Sequence, residues 1–307
     1  MTRSAAYLSL WASMTLVGTY VALSKPLTAA LPVFILAGLR FGIAAIVMLP
    51  WLKRGADEAP LSPASRMWLF WQSFFGNFLF SACMLYGVAL SSASAAGIIM
   101  SLIPAAVALL SWLMLGERPG GRVIVALLLA VAAIAFINLA KLDTAGTASA
   151  AQVRTALLGN ALLLGAVFCE ALYVVIGKRL ADQVSPKRVS ALINLVGLAL
   201  TLPFAIGTYL LMTPRFDFSS VSTQSWLLLV FYSLAASQWA VWLWMTGLKK
   251  VPASQAGVFT VALPIASCLV GALFLGERLA WPHGLAFACA AAGVWLIATA
   301  QSESTQH

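Results

Sequence analysis

ASAAGIIMSLIPAAVALLSWLMLGER runs from Ala93 to Arg118, and ASQAGVFTVALPIASCLVGALFLGER runs from Ala253 to Arg278. The two stretches align without a gap at an offset of 160 residues, with 12 of 26 positions identical. The identities include Ala93/Ala253, Ser94/Ser254, Gly97/Gly257, Pro104/Pro264 and the closing Gly-Glu-Arg. A composition rich in Ala and Leu accounts for a few such matches and no more. The chain therefore carries an internal duplication, and its architecture follows from that.

The 307 residues are 62% hydrophobic and 9% charged. Soluble domains carry about 25% charged residues, so this composition cannot cover a water-exposed surface and instead describes a polytopic membrane protein. Cys83, Cys169, Cys268 and Cys289 all fall inside apolar runs and read as small packing residues rather than a disulfide framework. A formal charge of +9 raises the question of nucleic acid. The basic residues sit in short connections between apolar runs, where membrane orientation explains them better, so no nucleic-acid partner is expected.

A bilayer core of about 30 Å needs about 20 apolar residues per helix. By that measure ten spans are expected, near 5–24, 31–52, 67–90, 93–115, 120–140, 154–177, 188–211, 224–247, 253–275 and 281–300. The connections are short, and the tail 301–307 is polar and expected to be disordered. With the N-terminus inside, the inner connections hold twelve Lys and Arg and the outer ones five, Lys25, Lys141, Arg154, Arg215 and Arg278. Both termini are then cytoplasmic.

Five spans per copy is an odd number, so the two copies must cross the membrane in opposite senses. A weaker echo supports this: Tyr20-Val-Ala-Leu-Ser-Lys25 closes the first span and Tyr173-Val-Val-Ile-Gly-Lys178 the sixth. The expected fold is an all-α polytopic membrane protein of ten transmembrane helices, arranged as two inverted five-helix repeats over 1–145 and 153–300. Inverted repeats built around a midplane site are a transporter signature.

Proline removes a backbone donor, so Pro104 and Pro264 leave the carbonyls of Met100 and Thr260 without helical partners. Such breaks are tolerated where they pack in protein or line a wet cavity. Glu170 is the one acidic residue placed deep in an expected span. Charged and unpaired it would cost several kcal/mol, so it is either a titrating or amine-binding group or a protonated, hydrogen-bonded one. Arg40, mid-span in the second helix, is suited to a carboxylate. It could equally pair with Glu170 or snorkel to an interface.

Aromatic residues concentrate in the third and eighth spans. Trp239 and Trp242 lie three apart beside Gln238, with Asn77 and Ser237 at equivalent positions of the two copies. An aromatic, amide-lined pocket suits an amphipathic solute, and helix packing against lipid is the competing reading. The Gly-Glu-Arg tripeptides read as helix ends. The sequence contains no H-E-x-x-H, G-x-S-x-G or P-loop, and neither a metal-ligand cluster nor a spaced acid pair. No enzyme activity, metal or cofactor is expected.

These features together resemble the drug/metabolite transporter superfamily, specifically its ten-helix EamA-type exporters. The doubled A-S-x-A-G…P…L-G-E-R stretches, Leu39-Arg40-Phe41, Pro50 and the lysines closing spans one and six carry the resemblance. Trp11-Ala12-Ser13 departs from the family's usual Trp-Gly. The resemblance implies secondary transport of small organic solutes, often export of amino acids or related metabolites across the bacterial cytoplasmic (inner) membrane. It also implies a central cavity to which Trp11 and Tyr86 would contribute. The expected function is alternating-access export, proton-linked or by exchange. Uptake or exchange of organic anions or sugar derivatives is the alternative in the same fold, and a non-transporting receptor or subunit is the alternative outside it.

Overall fold

Apolar runs punctuated by Pro, Ser and Gly fold here into long helices. The computed structural model describes residues 2–55, 60–91, 102–116, 150–181 and 183–274 continuously, together with Glu58, Ala96, Ile99, Met100 and scattered positions within 120–132 and 281–296. Among the described residues the chain is all-helical, and seven helices are long and apolar enough to cross a membrane. This is a polytopic membrane protein. The spans expected at 120–140 and 281–300, most of 93–101, the Gly-Glu-Arg copy at 276–278 and the tail 301–307 lie largely or wholly outside the described residues.

Helix α1 (Arg3–Ala30) opens at Thr2, whose side chain accepts from the Ala5 N–H. It runs past the expected end at 24. Lys25, expected in an outer connection, lies within the helix, with its Nζ donating to the carbonyls of Val88 and Ser91 at 2.9 and 3.1 Å. Those acceptors at the end of the third helix let the ammonium stay at the helix terminus. Helix α2 (Val33–Met48) continues as a tight turn to Leu52, with Pro50 in that turn's first positions.

Helix α3 (Pro63–Leu90) starts at a Ser62 cap and is interrupted by a π turn over Phe74–Leu79. Helix α4 (Ile103–Leu115) begins with Pro104 in its first turn, where a missing N–H costs nothing. It ends at Gly116, whose φ of 70° is the left-handed cap that glycine adopts without strain. Helices α5 (Ala150–Leu180) and α6 (Pro186–Leu211) follow. Helix α7 (Thr223–Leu248) starts at Ser222 and has its own π turn at Ala235–Trp239. Helix α8 (Gly257–Phe274) begins as a tight 3-10 segment to Val261 and becomes α-helical from Ala262, two residues before Pro264.

The two copies of the duplicated sequence share local devices. The π turns at 74–79 and 235–239 overlap at the 160-residue offset and end at equivalent positions. Lys25 donates to the Val88 carbonyl, and Lys178 donates to the Leu248 carbonyl at 2.9 Å. The packing is also reciprocal. A Cβ on Gly87 would meet Leu163 Cγ at 2.7 Å and the Gly159 carbonyl oxygen at 3.1 Å. A Cβ on Gly247 would meet Leu10 Cγ at 2.6 Å and the Ala6 carbonyl oxygen at 2.9 Å.

Helix α1 thus packs on α7 and α8, α5 packs on α3 and α4, and α2 packs on α6. In lipid no hydrophobic force drives helices together, so close approach through small residues is what holds such interfaces. One buried core runs through these contacts, including Leu10, Met84, Leu163 and Trp244.

Candidate functional site

Five helices converge on one small cavity. Ser13, Val17 and Tyr20 of α1, with Met14 beside them, recur at helical spacing and so share a face. Helix α5 contributes Glu170 and Tyr173, three apart, and α2 contributes Arg40. Helix α3 brings Gly76, Asn77 and Phe80, and α7 brings Ala236, Ala240, Val241 and Trp244. The space is about 30 Å³, room for a couple of water molecules.

Both π turns border this cavity. A π turn inserts an extra residue and shifts which side chains face inward downstream of it. Gly76, within the first, is where the Tyr173 ring lies against α3, and a Cβ there would sit 2.2 Å from Tyr173 Cδ2. The glycine makes room for the tyrosine.

Arg40 is 3% exposed. Its Nη2 donates to Ser81 Oγ at 2.8 Å, and its guanidinium lies 4.1 Å from the Phe41 ring centroid and 5.9 Å from that of Tyr232. Its Nε is buried without a partner. Glu170 is 7% exposed, in electrostatic reach of the Tyr20 and Tyr173 hydroxyls. Arg40 is held by Ser81 and the two rings rather than by Glu170, and among the described residues no ion pair joins them. The cavity therefore presents one buried carboxyl and one buried guanidinium that are not paired with each other.

The structure brings together three of the residues singled out from sequence: Arg40, Asn77 and Glu170. Asn77 also has a structural task. Its Nδ2 donates to the Ile193 carbonyl at 2.7 Å, alongside Ser73 Oγ at 2.5 Å, docking α3 onto α6. The others lie elsewhere. Trp11 is half-buried against the core. Tyr86 is 37% exposed and edge-on to Phe34 at 5.7 Å.

Trp239, also 37% exposed, meets Phe231. Gln238 is partly buried, and Trp242 packs 6.1 Å from Trp51 with Lys187 Nζ 5.9 Å from its ring. The π turn in α7 accounts for this, since the face it turns inward carries Val241 and Trp244 instead. Met100 and Thr260 are fully buried in the helix-break regions, not at the cavity, and Thr260 Oγ1 donates back to the Gly257 carbonyl at 2.6 Å. Pro104 is buried, and the side chain of Pro264 lies outside the described residues.

Sequence reasoning missed Tyr20, Tyr173, Phe80 and Trp244 as cavity residues. A signal existed for two of them. Tyr20 and Tyr173 open the echo that closes the first and sixth spans, at an offset of 153, and both line the cavity.

Comparison with known proteins agrees with this architecture. The chain matches the EamA-like transporter family twice, over residues 4–139 and 157–299. It is 35% identical over 292 residues to the Bacillus subtilis (strain 168) protein named uncharacterized transporter YetK, covering 95% of this chain and 86% of that one. A second protein of that organism, named uncharacterized transporter YwfM, is 27% identical over 193 residues, 62% of this chain and 59% of the other. A solved crystal structure superposes over the full length of both chains with a TM-score of 0.73 at 20% identity, which speaks to the fold alone.

Proposed function

From the premise that the chain belongs to the EamA-like transporter family, and is thus a transporter of small solutes, we propose that it exports amino acids or closely related metabolites by alternating access. The proposed setting is the bacterial cytoplasmic membrane with both termini inside. The proposed framework is ten helices in two inverted five-helix repeats, over 1–145 and 153–300. The double family match, the paired π turns, the paired lysine caps and the reciprocal glycine contacts support it.

The observation that carries the solute class is Arg40 and Glu170 sharing one cavity without an ion pair between them. A zwitterion satisfies both at once. Arg40 takes the carboxylate as a charge-assisted hydrogen-bond pair, and Glu170 takes the ammonium or, when the solute has left, a proton. Burial makes a bare carboxylate costly, so Glu170 holds either the ammonium or a proton, which couples the two, while Arg40 stays charged throughout. Met14, Val17, Phe80 and Val241 supply the apolar wall, in place of Trp239 and Trp242. The cavity holds only a couple of waters, so a solute enters only when the helices part on one side, and the reciprocal packing supplies two related ways of doing so.

Exchange of strongly anionic solutes such as sugar phosphates fits less well. Such a solute would meet one guanidinium and face a carboxyl group across the same space. The test is solute flux in proteoliposomes with and without an imposed pH gradient. The expected result is amino-acid flux accelerated by the gradient, with that acceleration lost in Glu170→Gln and flux lost in Arg40→Ala. Correctly inserted variants that transport like the parent would overturn the assignment.

A further inference from the structure

Among the described residues, three hydrogen-bond donors around the cavity have no partner. Arg40 Nε, Tyr173 Oη and Trp244 Nε1 are buried and unpaired, and they come from α2, α5 and α7 to line one space. Each belongs to a residue at most 5% exposed. A guanidinium and an indole N–H only donate, and a tyrosine hydroxyl donates as readily as it accepts. The group missing from this arrangement is therefore an acceptor. Burying an unsatisfied donor is costly, and three in one cavity are retained without penalty when the cargo supplies the missing oxygens.

A carboxylate fits that requirement. Its two oxygens offer about four lone-pair directions, enough for all three donors. The resident carboxyl, Glu170, shares the cavity with them, so a second carboxylate brought by the solute is disfavoured on the Glu170 side and favoured on the donor side.

We infer that Arg40, Tyr173 and Trp244 together form a carboxylate subsite that selects carboxylate-bearing amines over their uncharged amide or ester analogues. This rests on the amino-acid reading above and adds the residues that set specificity within it. Tyr173 and Trp244 act directly on the solute, and both acid and amine ends must be engaged for tight binding.

The experiment uses the full chain in proteoliposomes, with each of the twenty amino acids as labelled solute and its amide as competitor. Tyr173→Phe and Trp244→Phe each remove one donor and keep the ring. For amino acids the parent transports, each change is expected to raise the half-saturation concentration about tenfold, the value of one hydrogen bond to a charged group. The maximal rate should hold, and amides should compete weakly with the parent. Ser111→Ala is the control. Its hydroxyl, on α4, is also buried and unpaired but lies outside the lining, so half-saturation stays at the parent value. Unchanged half-saturation in both variants, or amides competing as well as acids, would overturn the subsite while leaving the amino-acid reading intact. A parent that moves none of the twenty would overturn that reading and the subsite with it.

Discussion

Replacing Gly18 by alanine tests the contact between α1 and α8 that the architecture depends on. A Cβ built at Gly18 lies 2.1 Å from the Leu263 carbonyl oxygen, 2.8 Å from Ala266 Cβ and 2.9 Å from the Leu263 carbonyl carbon. Non-bonded carbon contacts settle at about 3.5 Å, so the helices must separate by more than an ångström. The nearest obstacle is backbone, and no rotamer change relieves it. Leu263 also sits immediately before Pro264, where α8 has just changed from tight to α-helical winding, so a shift there spreads along the helix.

Overpacking of this kind costs about 1–3 kcal/mol, and a backbone clash belongs near the upper figure. That is roughly a hundredfold in the unfolding equilibrium. Gly42→Ala is the matched control, because nothing lies within 4 Å of a Cβ there. Without a clash, glycine to alanine in a helix gains about 0.5–1 kcal/mol. The assay is reversible unfolding in mixed micelles, followed by far-UV circular dichroism as denaturing detergent is titrated. A Gly18→Ala protein as stable as Gly42→Ala would refute the close α1–α8 packing.

Two further perturbations test the polar contacts that tie the bundle. Glu58 and Arg188 pair at 2.7 Å with side chains only 9% and 14% exposed. Arg188→Met alone should lose about 3 kcal/mol in the same titration by leaving the acid unpaired, and adding Glu58→Leu should restore most of it. Equal stability of single and double variants would show the pair to be solvated. Lys25 has two carbonyl acceptors and Lys178 one, so Lys25→Met should cost about 1 kcal/mol more than Lys178→Met, and matching losses would deny the second bond.

Much of the scaffold was legible because membrane constraints act on composition and spacing. Hydrophobic length located α2, α3, α5, α6 and α7 near their observed bounds, and Pro, Ser and Gly marked their ends. The end of α1 was misplaced because Lys25 reads as a loop charge until its acceptors, 63 and 66 residues away, are known. The cavity was only half legible. Arg40 and Glu170 stood out because charge deep in an apolar run is costly wherever the helix points. Trp244 and Val241 did not, since regular helical spacing favours Trp239 and Trp242. A π turn is a backbone event that side-chain periodicity does not announce.

The pattern of likeness and difference between the two copies bears on the cargo. Positions that hold the scaffold come in matched pairs, Gly87 with Gly247 and Lys25 with Lys178, and the cavity tyrosines Tyr20 and Tyr173 match as well. The charged positions of the cavity and its indole donor do not. Glu170 answers to Val17, Arg40 to Ile193 and Trp244 to Met84 at the same offsets. Under the proposed two-fold relation, identical groups on both sides would offer a solute the same charge twice. A molecule with an acid at one end and an amine at the other needs the opposite, a symmetric frame that can rock between two states and an asymmetric lining that reads two different ends. Matched glycines and lysines beside mismatched Glu170 and Arg40 are what such a division of labour requires.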